Sequence, residues 1–364
     1  STISSRIPNT GAPKEQMNKI KVALDKTPTI SAHRTRGIGN YTSNLITELK
    51  KRQDIELILF DNPKSPPAAD VVHYPYFDLF NRSLPLNLKS KTVVTIHDVI
   101  PLIFPNEFPV GIKGRANLFL QKLALKNCDA IICDSEQSKK DVINKLSASP
   151  AKVHVTYLAP SSNFKEIKDK DVLASVSKKY KLPDKFVLYV GDVNWNKNIH
   201  NLLKAVQLGG CWIVLVGQAF VSPTLKEAKE IDDLIENLNL TEKVVKTGFV
   251  EQEDLVAIYS KALCTLMPSF YEGFGLPILE SMSCQTPVIC SNNSSIKEIV
   301  NGAAIFCDPS SPRDIAEKIA YVLNLSQKDM LTLKTKSLKN ALKFSWPTVA
   351  KQTVEIYQLI ASAK

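Results

Sequence analysis

The strongest signal in the sequence is the stretch Ser269-Phe-Tyr-Glu-Gly-Phe-Gly-Leu-Pro-Ile-Leu-Glu280. An apolar segment, Cys264–Met267, precedes it, and Pro277 suits the first turn of a helix because its φ is fixed and it has no N–H. The pattern therefore predicts a strand, a glycine loop and a helix N-terminus. The free N–H groups of Gly275 and Leu276 would face an anion there, where the helix dipole favours negative charge.

Two carboxylates, Glu272 and Glu280, flank the glycines of this loop. A carboxylate repels a bound phosphate, but it accepts hydrogen bonds from hydroxyl groups on either side of one. Hydroxyls on both sides of a diphosphate are the hexose and ribose of a nucleotide sugar. Because short motifs are weak, a glycine turn with two solvated glutamates stays open as the alternative.

Short apolar segments alternate with amphipathic ones from Lys19 onward. Strands that alternate with helices form parallel sheets covered by helices, and two such series predict two Rossmann-like domains. Ligands then bind beyond the carboxyl ends of the strands, in the cleft between the domains. The predicted strands are Ile20–Leu24, Ile55–Phe60, Val71–Tyr74, Thr92–Ile96, Ala130–Cys133, Val153–Tyr157, Phe186–Val190, Trp212–Val216, Val244–Lys246, Cys264–Met267, Pro287–Cys290 and Ala304–Phe306.

A polar, lysine-rich segment over residues 159–181 separates the two series of strands. We therefore predict an N-terminal domain at 17–165 and a C-terminal domain at 166–344. Residues 1–16 are polar and lack the hydrophobic core of a signal peptide, so a flexible extension or a remnant of cloning is expected there.

Composition narrows the class of protein. No apolar run reaches the ~20 residues of a membrane span. The seven cysteines form no Cys-x-x-Cys pair, which favours a reducing compartment such as the cytoplasm and argues against a zinc site. The formal net charge of +10 suits acidic partners. Without a nucleic-acid-binding signature, an anionic membrane surface is the better interpretation, and an inert basic surface stays open.

Two loops of the N-terminal half are candidates for a site. Residues 34–41 follow the first strand, and Gly37 and Gly39 would allow a phosphate or sugar close to the backbone, although the motif alone is weak. His97 and Asp98 end the strand Thr92–Ile96, where a buried imidazole needs hydrogen-bond partners. A satisfied structural histidine is the ordinary alternative.

A third N-terminal segment, 105–127, carries basic residues beside Phe119 and Leu123. It predicts an amphipathic helix that touches acidic lipid head groups. An ordinary surface helix with its apolar side turned inward is the favoured alternative. The basic residues are Lys113, Arg115, Lys122 and Lys126.

In the C-terminal half, Lys197 lies in a segment that follows a strand and opens a helix. A compact ammonium at this place would neutralise a diphosphate as it leaves.

The loop at 269–280 resembles the donor-site signature of retaining glycosyltransferases of family 4. The resemblance continues through Pro287–Asn292 and Glu298, and it covers most of the chain from about Lys19. It implies the α/β GT-B architecture, two Rossmann-like domains whose parallel sheets face each other across a cleft. It also implies that a C-terminal helix, residues 345–364, crosses back to the N-terminal domain.

The resemblance implies a role for each site residue. His97 and Glu272 would hold the hexose, with the His97 carbonyl facing the anomeric carbon, and Lys197 would neutralise the diphosphate; these three are the implied catalytic residues. The implied donor-binding residues are Gly37, Gly39, Gly248, Phe249, Val250, Gly273, Phe274, Gly275, Leu276 and Glu280.

Within the donor-binding set, Gly37 and the Gly275 and Leu276 amides would hold the diphosphate. Glu280 would hold the ribose, and the turn Thr247–Val250 would read the nucleobase.

Two positions depart from the family pattern. Gln285 stands where the family usually has glycine, and this position is structural rather than catalytic. Asp192 stands where the family usually has a basic residue, so Arg36 or another residue must supply that charge.

The implied function is a retaining transfer of a hexose that needs no metal and no cofactor. The donor expected is GDP-mannose, and the acceptor is a glycan or lipid-linked saccharide of surface polysaccharide synthesis. UDP-glucose is the alternative donor, and a catalytically silent nucleotide-sugar or glycan-binding protein is the alternative class. The expected location is the cytoplasm, with contact at the inner face of the membrane as an open alternative, and no nucleic-acid partner is expected.

Overall fold

The computed structural model describes residues 19–31 and 37–363. The extension predicted for residues 1–16 lies outside the described residues.

The first sheet is parallel, with its six strands in the spatial order β2-β1-β3-β4-β5-β6. Both faces of its central strands are covered, because consecutive residues such as Val22, Ala23 and Leu24 are all buried. This explains why these segments are continuously apolar rather than alternating. The strands are β1 (Ile20–Asp25), β2 (Ile55–Phe60), β3 (Val71–Tyr74), β4 (Lys91–Ile96), β5 (Ala130–Cys133) and β6 (Val153–Val155).

The second sheet repeats this plan in the order β12-β11-β10-β7-β8-β9, again with parallel pairing. The two-sheet α/β prediction is confirmed, and each predicted strand is found within a residue or two of its predicted ends. The strands are β7 (Val187–Val190), β8 (Ile213–Val216), β9 (Val244–Gly248), β10 (Thr265–Met267), β11 (Val288–Ser291) and β12 (Ile305–Cys307).

Helices connect the strands, and several begin at a serine whose hydroxyl accepts a backbone N–H, as at Ser135 and Ser326. No helix within 19–31 and 37–363 is long and apolar enough to cross a bilayer. The helices are α1 (Gly37–Leu49), α2 (Ile100–Ile103), α3 (Ile112–Lys126), α4 (Glu136–Leu146), α5 (Lys170–Tyr180), α6 (Ile199–Gly209), α7 (Lys226–Asn237), α8 (Gln252–Lys261), α9 (Leu276–Ser283), α10 (Ile296–Val300), α11 (Pro312–Leu323), α12 (Gln327–Ala341) and α13 (Trp346–Ser362).

The last helix, α13, packs on the first sheet through a buried polar chain. The Tyr357 hydroxyl hydrogen-bonds with His73 Nδ1 at 2.6 Å, and His73 Nε2 hydrogen-bonds with Thr95 Oγ1 at 2.8 Å. The Tyr41 hydroxyl of α1 lies 3.1 Å from the same Thr95 oxygen. Burial lowers the pKa of His73 to about 3, so this imidazole is a neutral structural group.

We expect Tyr357→Phe to lower the free energy of unfolding by about 1–3 kcal/mol, because it leaves a buried His73 nitrogen without a partner. Urea unfolding followed by circular dichroism measures the loss. Tyr321→Phe is the matched control, since Tyr321 is 57% exposed on α11. Equal losses in the two variants would show that the buried hydrogen bond does not stabilise the docking of α13.

Candidate active site

The glycine loop has the predicted local structure. It follows β10, and α9 begins at Leu276 with Pro277 in its first turn. Gly275 precedes the helix at φ +102°, a left-handed conformation that side chains with a Cβ rarely adopt. Backbone geometry therefore explains the glycine at 275.

Glu272 is buried, with only 5% of its surface exposed, and both of its carboxylate oxygens accept hydrogen bonds. The Lys197 ammonium donates to Glu272 Oε1 at 2.8 Å and to Oε2 at 2.7 Å. The Ser269 hydroxyl also donates to Oε1, at 2.7 Å. The two oppositely charged residues predicted for the site therefore form one ion pair, which the sequence did not predict.

Lys197 ends a short 3-10 turn, Trp195–Lys197, between β7 and α6. That turn is fixed on the glycine loop, since the Phe270 N–H donates to the Asn196 carbonyl and the Asn196 amide donates to the Tyr271 carbonyl. The ion pair thus rests on two loops that hydrogen-bond to each other.

His97 lies at the end of β4, and both of its ring nitrogens have protein partners. Nδ1 lies 2.7 Å from Asp134 Oδ2, and Nε2 lies 3.1 Å from the Pro75 carbonyl oxygen. Because a carbonyl only accepts, Nε2 carries a proton, and no ring nitrogen is free to act as a base. Burial lowers the pKa of His97, but the charge and hydrogen bond of Asp134 outweigh burial, so the net shift is upward.

A cavity of about 230 Å³ lies where the carboxyl ends of strands from both sheets meet. Its volume is below the ~300–1,000 Å³ of typical small-molecule sites, so it would hold part of a nucleotide sugar rather than the whole. The structure brings five predicted site residues into its lining: His97, Lys197, Glu272, Gly273 and Phe274.

The other predicted site residues lie outside this lining. Gly248 ends β9 in a left-handed conformation, at φ +71°, as a tight turn requires. Phe249 is exposed, but its N–H already donates to Gln218 Oε1 at 3.3 Å, and Val250 is buried in the core. The remaining predicted residues outside the lining are Gly37 and Gly39 in the first turn of α1, and Gly275, Leu276 and Glu280 of α9 and its cap.

Glu280 lies partly buried on α9 and accepts a hydrogen bond from the Tyr259 hydroxyl at 3.0 Å. Burial raises the pKa of Glu280 to about 7, against the effect of that hydrogen bond. Its carboxyl is therefore poised between its neutral and charged forms at physiological pH.

Several cavity residues were missed by sequence reasoning. Asp134 directly follows β5, so the rule that sites lie after strands could have found it. Asn194 precedes the turn that carries Lys197 and Asn196 lies within it, and Phe108 carries no chemical signal. Among the described residues, Asp134 Oδ1 has no hydrogen-bond partner.

The cavity wall carries carboxyl groups in excess of lysine and arginine. Asp98, Asp134 and Glu272 line it, and Lys197 is the one lysine or arginine among the described residues of the lining. Burial raises the pKa of Asp98, although His97 and Lys197 oppose the shift. Asp192 lies outside the lining and accepts the Val193 N–H. Arg36, the residue suggested as a second cation, is outside the described residues.

Comparison with known proteins places these features in a family. The family model "Glycosyl transferases group 1" matches residues 174–339, and "Glycosyltransferase Family 4" matches residues 68–159. The O-antigen chain mannosyltransferase B of Escherichia coli is 31% identical over 300 residues, which make up 80% of this chain and 74% of that protein. The E. coli serotype-specific mannosyltransferase WbdA is 29% identical over 301 residues, which make up 79% of this chain and 36% of WbdA.

A solved structure shares the fold. Anabaena HepE in complex with UDP and glucose superimposes with a TM-score of 0.72 at 17% identity, covering 93% of this chain and 100% of that one. The two parallel sheets with a cavity between their carboxyl ends are thus the GT-B fold. By its family models and its E. coli relative, the chain belongs to the family-4, group-1 glycosyltransferases.

Proposed function

We propose that the chain transfers mannose from GDP-mannose, with retention of configuration, to a glycan or lipid-linked saccharide. The observation that carries this proposal is the ion pair between Lys197 and Glu272 in the wall of the cavity between the two sheets. A cation to bind diphosphate and a carboxylate to bind sugar hydroxyls are the two groups that a nucleotide sugar needs at its reacting end.

In this proposal the bound donor separates Lys197 from Glu272 and becomes the new partner of both. The diphosphate takes the Lys197 ammonium, and Glu272 then accepts hydrogen bonds from hexose hydroxyls. As the bond from the anomeric carbon to phosphate oxygen breaks, Lys197 stabilises the charge that develops on the leaving group. The acceptor hydroxyl bonds to the same face of that carbon, and its proton passes to the departing phosphate oxygen.

The E. coli relatives support mannose as the sugar, since both are named as mannosyltransferases. UDP-glucose stays the alternative donor, because the HepE structure of the same fold contains UDP and glucose. The sparse positive charge of the cavity wall favours a third outcome, a silent binding protein. Slow release of nucleoside diphosphate from the donor separates an enzyme from such a protein.

A thermal-shift screen with GDP, UDP, ADP, dTDP and their sugars, without added metal, tests the donor. A ligand at 100 times its Kd stabilises the native state by about 2.7 kcal/mol, so the cognate nucleotide raises the unfolding midpoint. We expect GDP and GDP-mannose to do so. A response to UDP alone would overturn the mannose assignment, and a response to none would overturn the donor site.

The variant Lys197→Gln tests whether the charge of Lys197 contributes to catalysis. It keeps a hydrogen-bond donor beside Glu272 and removes the charge, so we expect hydrolysis of GDP-mannose to fall by about 10²-fold. Lys204→Gln is the matched control, because Lys204 is exposed on the following helix. Unchanged hydrolysis in Lys197→Gln would remove Lys197 from the mechanism.

The ionisation of Glu280 predicts a pH dependence of binding. If ionised Glu280 accepts ribose hydroxyls, affinity for GDP should rise about tenfold between pH 6 and 8, because this carboxyl loses its proton near pH 7. Glu280→Gln should remove this increment and leave only the titration of the phosphate. Isothermal titration of both proteins at the two pH values measures the difference. Parallel pH profiles would contradict the ribose role of Glu280.

We propose further that α3 holds the enzyme against an anionic membrane, where a lipid-linked acceptor would be found. Ile112 is 90% exposed and Phe119 is 63% exposed, and together with Leu123 they form one outward stripe at helical spacing. The same helix buries Ala124 and Leu125, so α3 also has the inward apolar side of an ordinary surface helix. Basic residues flank the stripe, and the arrangement suits acidic head groups.

Co-sedimentation with vesicles of phosphatidylglycerol and phosphatidylethanolamine tests this contact. We expect replacement of Lys113, Arg115, Lys122 and Lys126 by glutamine to weaken binding, by about 1 kcal/mol for each charge near the surface. Phe119→Ser should weaken it further. The control variant replaces four other lysines, Lys204, Lys328, Lys336 and Lys339, all exposed in the second half of the chain. Equal loss in both sets would reduce the contact to net charge alone.

A further inference from the structure

The first turn of α4 makes an unusual set of contacts with the opposite half of the molecule. We call residues Ser135–Ser138 the α4 turn. It follows β5 of the first sheet, yet its side chains and backbone N–H groups bind residues of the glycine loop and of α10, both of which belong to the second sheet's half.

Two hydroxyl groups of this turn face the Gly273 carbonyl. The Ser135 hydroxyl donates to it at 2.7 Å, and the Ser138 hydroxyl lies 2.9 Å from the same oxygen and 3.1 Å from the His97 carbonyl oxygen. Both serines are buried, and Ser135 also caps α4 by accepting the Ser138 N–H at 3.0 Å. Among the described residues, both donors that face the Gly273 carbonyl come from the other half of the molecule.

The neighbouring carbonyls of the loop are held differently. The Ser295 hydroxyl lies 2.9 Å from both the Glu272 and the Phe274 carbonyl oxygens, and Ser295 belongs to the same half as the loop. Of three successive carbonyls, the middle one alone depends on the α4 turn. Glu272, whose carboxylate pairs with Lys197, is the residue directly before Gly273.

Glu298 of α10 binds the α4 turn in return. Its carboxylate accepts the N–H groups of Glu136 and Gln137, each at 3.1 Å, and the Tyr157 hydroxyl at 2.9 Å. These N–H groups have no partner within the helix, and the helix dipole favours a negative charge at this end. The opposite half of the molecule therefore supplies the anion that this helix end needs.

Steric contact points in the same direction. A Cβ at position 273 would lie 2.8 Å from the Asp98 Cβ and 2.9 Å from the His97 carbonyl oxygen. Only glycine fits at that distance. The glycine at 273 is thus required by the approach of the first half of the molecule, rather than by the approach of a phosphate.

We propose that the α4 turn positions the glycine loop. Ser135 and Ser138 fix Gly273, Glu298 holds the turn in place, and Glu272 reaches its working position only while the two halves are closed on each other. Ser135, Ser138 and Glu298 are then positioning residues that act through Glu272. What Glu272 binds rests on the function proposed above. The hydrogen bonds that Ser135, Ser138 and Glu298 form between the two halves, which we call the clasp, do not depend on that function.

Ser138→Ala is the sharpest variant, because it removes a hydroxyl without removing the helix cap. Hydrogen exchange of peptides covering residues 269–275, without nucleotide, measures release of the loop. We expect exchange to quicken by about tenfold, the result of losing roughly 1.4 kcal/mol of local stability. Glu298→Gln should have a similar effect.

Ser337→Ala is the matched control. Ser337 is also buried within a helix, and its hydroxyl donates to the Ala303 carbonyl at 2.7 Å, but both residues lie in the same half. Exchange at 269–275 should stay unchanged in this variant. Equal exchange in Ser138→Ala, Ser337→Ala and wild type would overturn the clasp.

The rate of donor hydrolysis shows whether the α4 turn positions Glu272 for catalysis or only stabilises the glycine loop. We expect Ser138→Ala to lower kcat for donor hydrolysis by about tenfold or more with KM changed less, since small displacements of a catalytic group cost this much. Faster exchange with kcat equal to that of Ser337→Ala would overturn the positioning role. If wild type binds no nucleotide, the proposed function fails, while the exchange comparison still decides whether the clasp exists.

Discussion

The ion pair between the partly buried Lys197 ammonium and the buried Glu272 carboxylate is the interaction on which the site depends. Removing two charges from water costs several kcal/mol for each ion, and their attraction offsets this only where geometry is good and the remaining lone pairs are satisfied. Here both carboxylate oxygens contact the ammonium, and Ser269 donates to one of them. Charged ligand groups can exchange with such a pair, because each partner then gains a new counter-charge or donor.

Enclosing this pair in a cavity requires both Rossmann-like units. Lys197 and Glu272 follow β7 and β10 of one sheet, while His97 and Asp134 follow β4 and β5 of the other. All four residues therefore lie at the carboxyl ends of parallel strands. The cavity is enclosed where the carboxyl ends of the two sheets face each other. Aromatic rings join the halves at its rim, where Phe104 lies 5.1 Å from Trp195 and 5.5 Å from Tyr271, measured between ring centroids.

The sequence predicted the sheets well because the evidence there is local. Continuous apolar runs, helical spacing and Pro277 reflect short-range preferences, and the two series of alternating strands and helices predicted the two units. The same local logic found the loop at 269–280 and the helix N-terminus that follows it. It failed for contacts between distant segments: the Lys197 pair with Glu272, the Asp134 partner of His97, and the approach of His97 and Asp98 that demands glycine at 273. The direction of the apolar side chains of α3 was left between two alternatives for the same reason, since periodicity gives a face but not its direction.

The most direct test of the proposed exchange of partners is a crystal structure with an intact nucleotide sugar bound. We expect Lys197 Nζ to leave the Glu272 carboxylate and to lie within hydrogen-bond distance of a phosphate oxygen. Glu272 should then accept a hydroxyl of the hexose, in the cavity that His97 and Asp134 line. A donor bound elsewhere, or bound here with the Lys197–Glu272 pair still intact, would contradict the proposed exchange of partners.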